Sequence, residues 1–230
     1  MNTAAKSARI KSPDADPAPA LPKPNTARWG SEVQSSAEQG DLKRFAILRT
    51  AAELFNERGF YETSLNELAK RLNVTKPSLY LYFKNKDDIL LQILNQATVE
   101  FKPAMDLAEE SGLCGIEKLK IFVTQYTTAM TGVFAKCMVL SGLGPLEPSS
   151  RDQLTPTFRL LDTFVRRLLE EGIADGSITP CDTKMTTFTL FGAMHWLARW
   201  YRPDGELQPQ KIAEQVFTIF ENGLGKVRRP

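Results

Sequence analysis

The stretch Thr63–Phe83, TSLNELAKRLNVTKPSLYLYF, decides the fold. Ser64 stands three residues before Glu67, the spacing of a capping box, and opens a helix. Leu65, Leu68, Ala69 and Leu72 follow at steps of three and four, an apolar stripe, with Asn66, Lys70 and Arg71 off it. Asn73 sits where the chain must reverse, and Asn tolerates the positive φ such a turn requires. A second helix is expected from Thr75 as N-cap, with Pro77 in its first turn, where an amide has no intrahelical partner. Leu79 and Phe83 anchor it inward. Lys76, Ser78, Tyr80 and Tyr82 are left outward, and Leu81 reads as a packing residue.

A helix–turn–helix lays its second helix in the major groove of DNA. A helical hairpin that binds nothing has the same pattern, so the flanking sequence has to separate the two. Lys43–Arg58, KRFAILRTAAELFNER, predicts a helix with Phe45, Leu48, Ala52 and Phe55 near one face, widened by Ile47, Ala51 and Leu54. Gly59 is its expected C-cap. A short link, Phe60–Glu62, leads into the hairpin, and KNKDDILLQIL opens a fourth helix. This run resembles the N-terminal domain of TetR-family transcriptional regulators. The resemblance rests on Ala51, Ala52, Leu54, Phe55, Gly59, Phe60, Leu68, Ala69, Leu79, Tyr80, Tyr82, Phe83 and Lys86, without a gap between Lys43 and Leu90. Asn73 departs from the glycine usual there, a conformationally harmless change.

The resemblance implies a double-stranded DNA operator as partner. It implies phosphate contacts from Thr63 and Ser64, a base contact from Asn66, and reader positions at Thr75, Lys76, Pro77, Ser78, Tyr80 and Tyr82. Lys86 matches a phosphate-contacting lysine. The chemistry agrees: an ammonium donates to guanine O6 and N7, a proline lies on a thymine methyl, and tyrosine hydroxyls hold phosphates. Lys43 and Arg44, beside the first helix, and Lys23 and Arg28 in the tail are candidate arm contacts.

The chain carries a formal charge of +2, unremarkable for a soluble protein. Between 41 and 86 nine Lys/Arg face five acids, so positive charge gathers in the proposed DNA-binding segment. Residues 1–40 hold SPDADPAPALPKPN and are expected to be a disordered Pro/Ala-rich tail. Residues 41–86 form the expected DNA-binding domain, and 87–230 a ligand-binding and dimerisation domain. No apolar run of membrane-spanning length and no secretory leader is present, so a cytoplasmic protein is expected. Three scattered cysteines and a single histidine offer no disulfide framework, no multi-histidine metal site and no histidine-based dyad. No cofactor, no catalytic residue and no enzyme activity are expected.

Beyond residue 86 the pattern predicts helices over Lys86–Ala108 (with a kink at Pro103), Ile116–Phe134, Lys136–Gly144, Ser150–Gly172, Asp182–Tyr201 and Pro209–Gly223. The fold class is all-α, a three-helix head on a larger bundle. Phe188, Phe191, Trp196 and Trp200 on the penultimate helix, with Ile212, Val216, Phe217 and Phe220 on the last, match the helices that pair across the family's homodimer. Effector-pocket candidates come from the central helices: Phe122, Tyr126, Met130, Phe134, Phe158, Leu161, Phe164, Met194 and His195. The same side chains also suit an ordinary core, and His195 needs a hydrogen-bond partner if buried. The C-terminal run HWLARWYRPDGELQPQKIAEQ resembles the branch of the family tied to fatty-acid and steroid acyl-CoA catabolism. It implies a large apolar effector, a fatty acyl-CoA being one candidate and an aromatic or drug-like compound the other. The resemblance as a whole implies a repressor released by that effector. A ligand-carrying bundle without DNA function is the alternative from another class.

Overall fold

The protein is described by a computed structural model covering residues 36–223. The tail expectation for 1–35, with Lys23 and Arg28, lies outside the described residues. Helix α1 (Ser36–Arg58) begins earlier than Lys43, so residues 36–40, assigned above to the tail, form its first turns. The prolines stop at Pro24, and nothing in Ser-Ala-Glu-Gln opposes a helix. Its stripe buries Ile47, Leu48, Ala51, Ala52, Leu54 and Phe55. Phe45, expected on that stripe, is largely exposed and sets its ring edge-on to Phe134, 5.5 Å between centroids. Gly59 closes the helix at φ +89°, its N–H donating to the Phe55 carbonyl at 2.8 Å.

In α2 (Leu65–Arg71) Ser64 Oγ accepts from the Glu67 amide at 3.2 Å. The reciprocal half of the capping box is replaced: the Glu67 carboxylate pairs with Arg58 instead. The turn after α2 is a Schellman motif. Asn73 takes φ +54°, its amide donates to the Lys70 carbonyl at 3.1 Å, and Val74 donates to Ala69 at 2.9 Å. Helix α3 (Lys76–Leu79) is shorter than expected. After Leu79 the chain advances by i→i+3 turns, Tyr80 to Pro77 and Tyr82 to Leu79. Leu79 and Phe83 are buried, as the pattern required.

Helix α4 (Lys86–Glu110) is capped by Asn85, whose Oδ1 accepts from the Asp88 amide at 2.8 Å, and runs through Pro103. Its buried stripe, from Ile89 to Ala108, belongs to one apolar core that spans head and bundle. The bundle continues with α5 (Gly115–Ala129), α6 (Val133–Ser141), α7 (Pro148–Asp175), α8 (Thr183–His195), α9 (Leu197–Trp200) and α10 (Pro209–Asn222). Helix α4 packs on α5, α6 and α7, and α5 packs on α7 and α10. No strand occurs among the described residues.

Two expected helices are each divided. The Ile116–Phe134 segment stops at Ala129, because Thr131 and Gly132 tighten into i→i+3 bonds and Gly132 turns extended to start α6. At Trp196 the interruption is slight: φ −61° and ψ −23° keep the backbone right-handed between α8 and α9. At the far end of the bundle α5 and α7 touch backbone to backbone. A Cβ on Gly115 would lie 2.2 Å from the Gly172 nitrogen.

Candidate functional site

Thr75, Lys76, Pro77 and Tyr80 are exposed together around α3, and Ser64 and Asn66 are exposed at the start of α2. Thr75 is the N-cap of α3, but its hydroxyl bonds to Ser78 Oγ at 2.8 Å rather than to an amide. Tyr82 is half-buried against the core. Leu81, read above as a packing residue, is instead 82% exposed beside Tyr80, because the i→i+3 turns after Leu79 rotate it outward. Thr63 is turned inward and buried. Its hydroxyl donates to the Gly59 carbonyl at 2.9 Å, so the side chain braces the end of α1. Lys86 lies with its ammonium 4.2 Å from the Phe60 ring centroid and 3.4 Å from the Tyr61 carbonyl. Partial burial lowers its pKa, with Glu62 opposing the shift.

The charge of the head is arranged as well as counted. Arg71 forks onto Glu57 at 2.7 and 2.8 Å, Arg58 pairs with Glu67, and Arg49 reaches Glu53 at 3.4 Å. Three of the five acids are thereby taken up by three arginines. Lys43, Arg44, Lys70, Lys76, Lys84 and Lys86 form no ion pair among the described residues. The residual positive charge is spread over the start of α1, the end of α2, α3 and the segment that leads into α4.

The head is fastened to the bundle at named points. Arg44 lies over the Phe83 ring (5.2 Å) and donates to Gln92 at 2.8 Å; Gln92 in turn donates to Asp88 at 2.7 Å. The Asp87 carboxylate accepts from the Glu147 amide at 2.7 Å and from the Ser150 hydroxyl at 2.5 Å. It therefore ties the first turn of α4 to the first turn of α7. Asn56 on α1 donates to the Val133 carbonyl at 3.0 Å, at the start of α6. Of this set only Arg44 and Phe83 were singled out in the sequence. Asp87 is one acid in a KDD run, and nothing local marks its partner sixty residues on.

Of the effector-pocket candidates, Phe158 and His195 line a cavity of about 220 Å³ with Met138, Val139, Gly142 and Leu143. It lies between α6, α7 and the end of α8. Phe122, Tyr126, Met130, Phe134, Leu161, Phe164 and Met194 are buried in the core. Phe101, Phe122, Tyr126, Phe164 and Phe191 form a continuous aromatic cluster, with centroid separations from 4.5 to 6.4 Å. His195 finds its partner there: Tyr126 Oη and His195 Nε2 are 2.9 Å apart. Burial pushes the imidazole down to about 4 and the phenol up, so both are neutral at pH 7.

The apolar residues expected at the dimer contact divide in two. Phe188, Trp196 and Trp200 are exposed, and so are Met185 and Ile219, not singled out in the sequence. Met185, Phe188 and Trp196 recur at helical spacing on one face of α8. Phe217 and Ile212 are instead 1% and 4% exposed and belong to the protomer's own core, and Phe191 joins the aromatic cluster. Val216 and Phe220 are half-buried. Among the described residues no helix is long and apolar enough to cross a membrane, and no His/Cys/Asp/Glu group could hold a metal ion.

Comparison with known proteins agrees with this arrangement. Residues 47–93 match the family described as bacterial regulatory proteins, tetR family, and residues 112–224 match the tetracyclin repressor-like C-terminal domain. The fatty acid metabolism regulator protein of Bacillus subtilis is 22% identical over 185 residues, 79% of this chain and 95% of that protein. The HTH-type transcriptional repressor KstR2 of Rhodococcus jostii is 28% identical over 188 residues, 79% of this chain and 91% of that one. The structure of the regulator PfmR from Thermus thermophilus superposes with a TM-score of 0.72 at 27% identity, over 78% of this chain and 99% of that one. An exposed helix–turn–helix head on a ligand-domain bundle, matched at both ends, makes this chain a member of the TetR family of DNA-binding transcriptional regulators.

Proposed function

We propose that the chain is a homodimeric repressor that reads a pseudo-palindromic operator through α3 and leaves it when a largely apolar effector enters the bundle. The observation that carries the reading is the outward cluster Thr75, Lys76, Pro77 and Tyr80, flanked by cations with no internal ion pair. A carrier bundle has no use for such a surface. Two copies joined through the exposed face of α8 and α10 present two readers to two half-sites. Lys43, Arg44, Ser64, Asn66 and Lys86 stand around the readers as phosphate or flanking contacts.

For the effector, the name of the Bacillus relative and the resemblance of the C-terminal run both favour a fatty acyl-CoA. The cavity of about 220 Å³ holds only part of such a molecule. Seating the whole requires α6, α7 and α8 to part around Phe158 and His195. An effector that fits the parted bundle better than this one shifts the population, and a ten-thousandfold release needs about 5.5 kcal/mol of differential affinity. The shift reaches α3 through Asp87 and α4.

The test is selection of duplexes from a random DNA library by the intact protein and by a Lys76→Ala/Tyr80→Ala variant. The intact protein is expected to enrich an inverted repeat. The variant is expected to lose about 1–3 kcal/mol of discrimination at the contacted bases. The selected operator then serves to screen acyl-CoAs and aromatic compounds for release. Failure of well-folded dimer to enrich any sequence, with and without acyl-CoA, sinks the operator reading.

A further inference from the structure

A second cleft, of about 380 Å³, lies between α4 and α5, apart from the α6–α8 cavity. It is lined by Glu100, Pro103, Gln125, Thr128, Thr131 and Gly132, among others. Its polar groups are almost all acceptors, for identifiable reasons. Glu100 is half-buried and makes neither an ion pair nor a hydrogen bond among the described residues. Desolvation raises its pKa with no neighbouring cation to oppose it. The Thr128 hydroxyl donates to the Thr124 carbonyl at 3.1 Å and the Thr131 hydroxyl to the Thr128 carbonyl at 2.7 Å, so each oxygen can only accept from the cleft. Pro103 has no N–H and so brings no donor of its own to the lining. Gln125 alone brings side-chain donors.

A site of this kind wants hydrogen-bond donors and positive charge. A bare divalent ion is a poor match, because one carboxylate in so large a space cannot supply six or more oxygens at bonding distance. An alkylammonium group answers both demands: three donors for Glu100 and the threonine oxygens, and a short carbon chain for Pro103 and Ala104. We propose that the α4–α5 cleft is a binding site for a small organic ammonium, with Glu100 as its counter-ion. The occupant would bear on α4, the helix that carries the head. The site stands independently of the operator reading, since no residue of the head takes part in it.

Calorimetric titration of the full chain with hexylammonium, 1,6-diaminohexane and the neutral isostere 1-hexanol tests the proposal. The ammonium compounds are expected to bind, hexanol at least tenfold more weakly, and Glu100→Gln to lose at least tenfold in affinity for the amines while keeping its thermal midpoint. A Thr128→Val variant, which removes an acceptor and leaves the charge, is expected to weaken the amines several-fold. Absence of amine binding, equal binding of hexanol, or an unchanged affinity in Glu100→Gln overturns it. Self-association that depends on Glu100 also overturns it, because a lysine of a second copy would then be the occupant.

Discussion

Asn73 holds the turn between the two hairpin helices at φ +54°, where a β-carbon is disfavoured and a short amide side chain is tolerated. Asn73→Ala is expected to lower stability by about 1–2 kcal/mol, read from urea denaturation, whereas Asn73→Gly should be close to neutral. Ser64, Gly59 and Asn73 were legible because caps and turns are local: the residue and its neighbours contain the reason. Thr63, Leu81 and Lys86 were less so, since their side-chain directions depend on how the chain folds back after Gly59 and Leu79. His195 lies between these cases. Its need for a partner was readable, and Tyr126, sixty-nine residues away, was not. Its folded pKa of about 4 lies below the ordinary 6.5, so the unfolded chain binds the extra proton between those values. Stability is full above pH 6.5 and falls as pH drops towards 4, by about 2 kcal/mol between pH 7.5 and 5. His195→Gln should flatten that limb of the stability curve; a variant that keeps the wild-type slope there would remove His195 as its source.

Elements were legible where apolar spacing was regular, as in α2, α4 and α10, and in α2 the Ser64 cap also marked the start. They were misjudged where a helix breaks without a proline. The break before α6 is signalled only by Gly132, a residue that also occurs inside helices, as at Gly192. The joint between α4 and α7 is invisible in sequence and fixes the first turn of the helix that leaves the head. Asp87→Ala removes the acceptor for the buried Ser150 hydroxyl and the Glu147 amide. It is expected to cost about 1–2 kcal/mol of stability and to reduce effector-induced operator release several-fold, measured as the ratio of operator affinities with and without ligand. Asp87→Asn keeps an acceptor and should retain most of the coupling. Equal coupling in wild type and the alanine variant would show that another contact, such as Asn56 to Val133, carries the signal.

For the whole molecule, the all-α class and the division into head and bundle were readable, because both follow from periodicity repeated over the chain. Which apolar residues the core buries and which stay exposed was not, since Phe217 and Trp196 look alike in a pattern of spacing. The structure leaves Trp196 63% exposed on the face shared with Phe188 and Met185. Trp196→Glu is expected to weaken self-association by about thirtyfold or more in sedimentation equilibrium, with helical content unchanged. A variant that stays dimeric would place the two-fold axis elsewhere.

The crossing of Gly115 and Gly172 bears on how such a molecule can move. With no side chain between them, the two backbones cannot slide or separate there without losing the contact that the glycines permit. That end of α7 is a fulcrum. Its other end, at Pro148 beside the Asp87 tie, stands about 36 Å along the helix axis. A tilt of about 5° at the fulcrum sweeps that far end through about 3 Å, read as a distance change between spin labels at exposed Glu147 and Gln153 and a fixed label on α10. A small adjustment deep in the bundle is thus geared up into a displacement of several ångström at the start of α7, beside the first turn of α4.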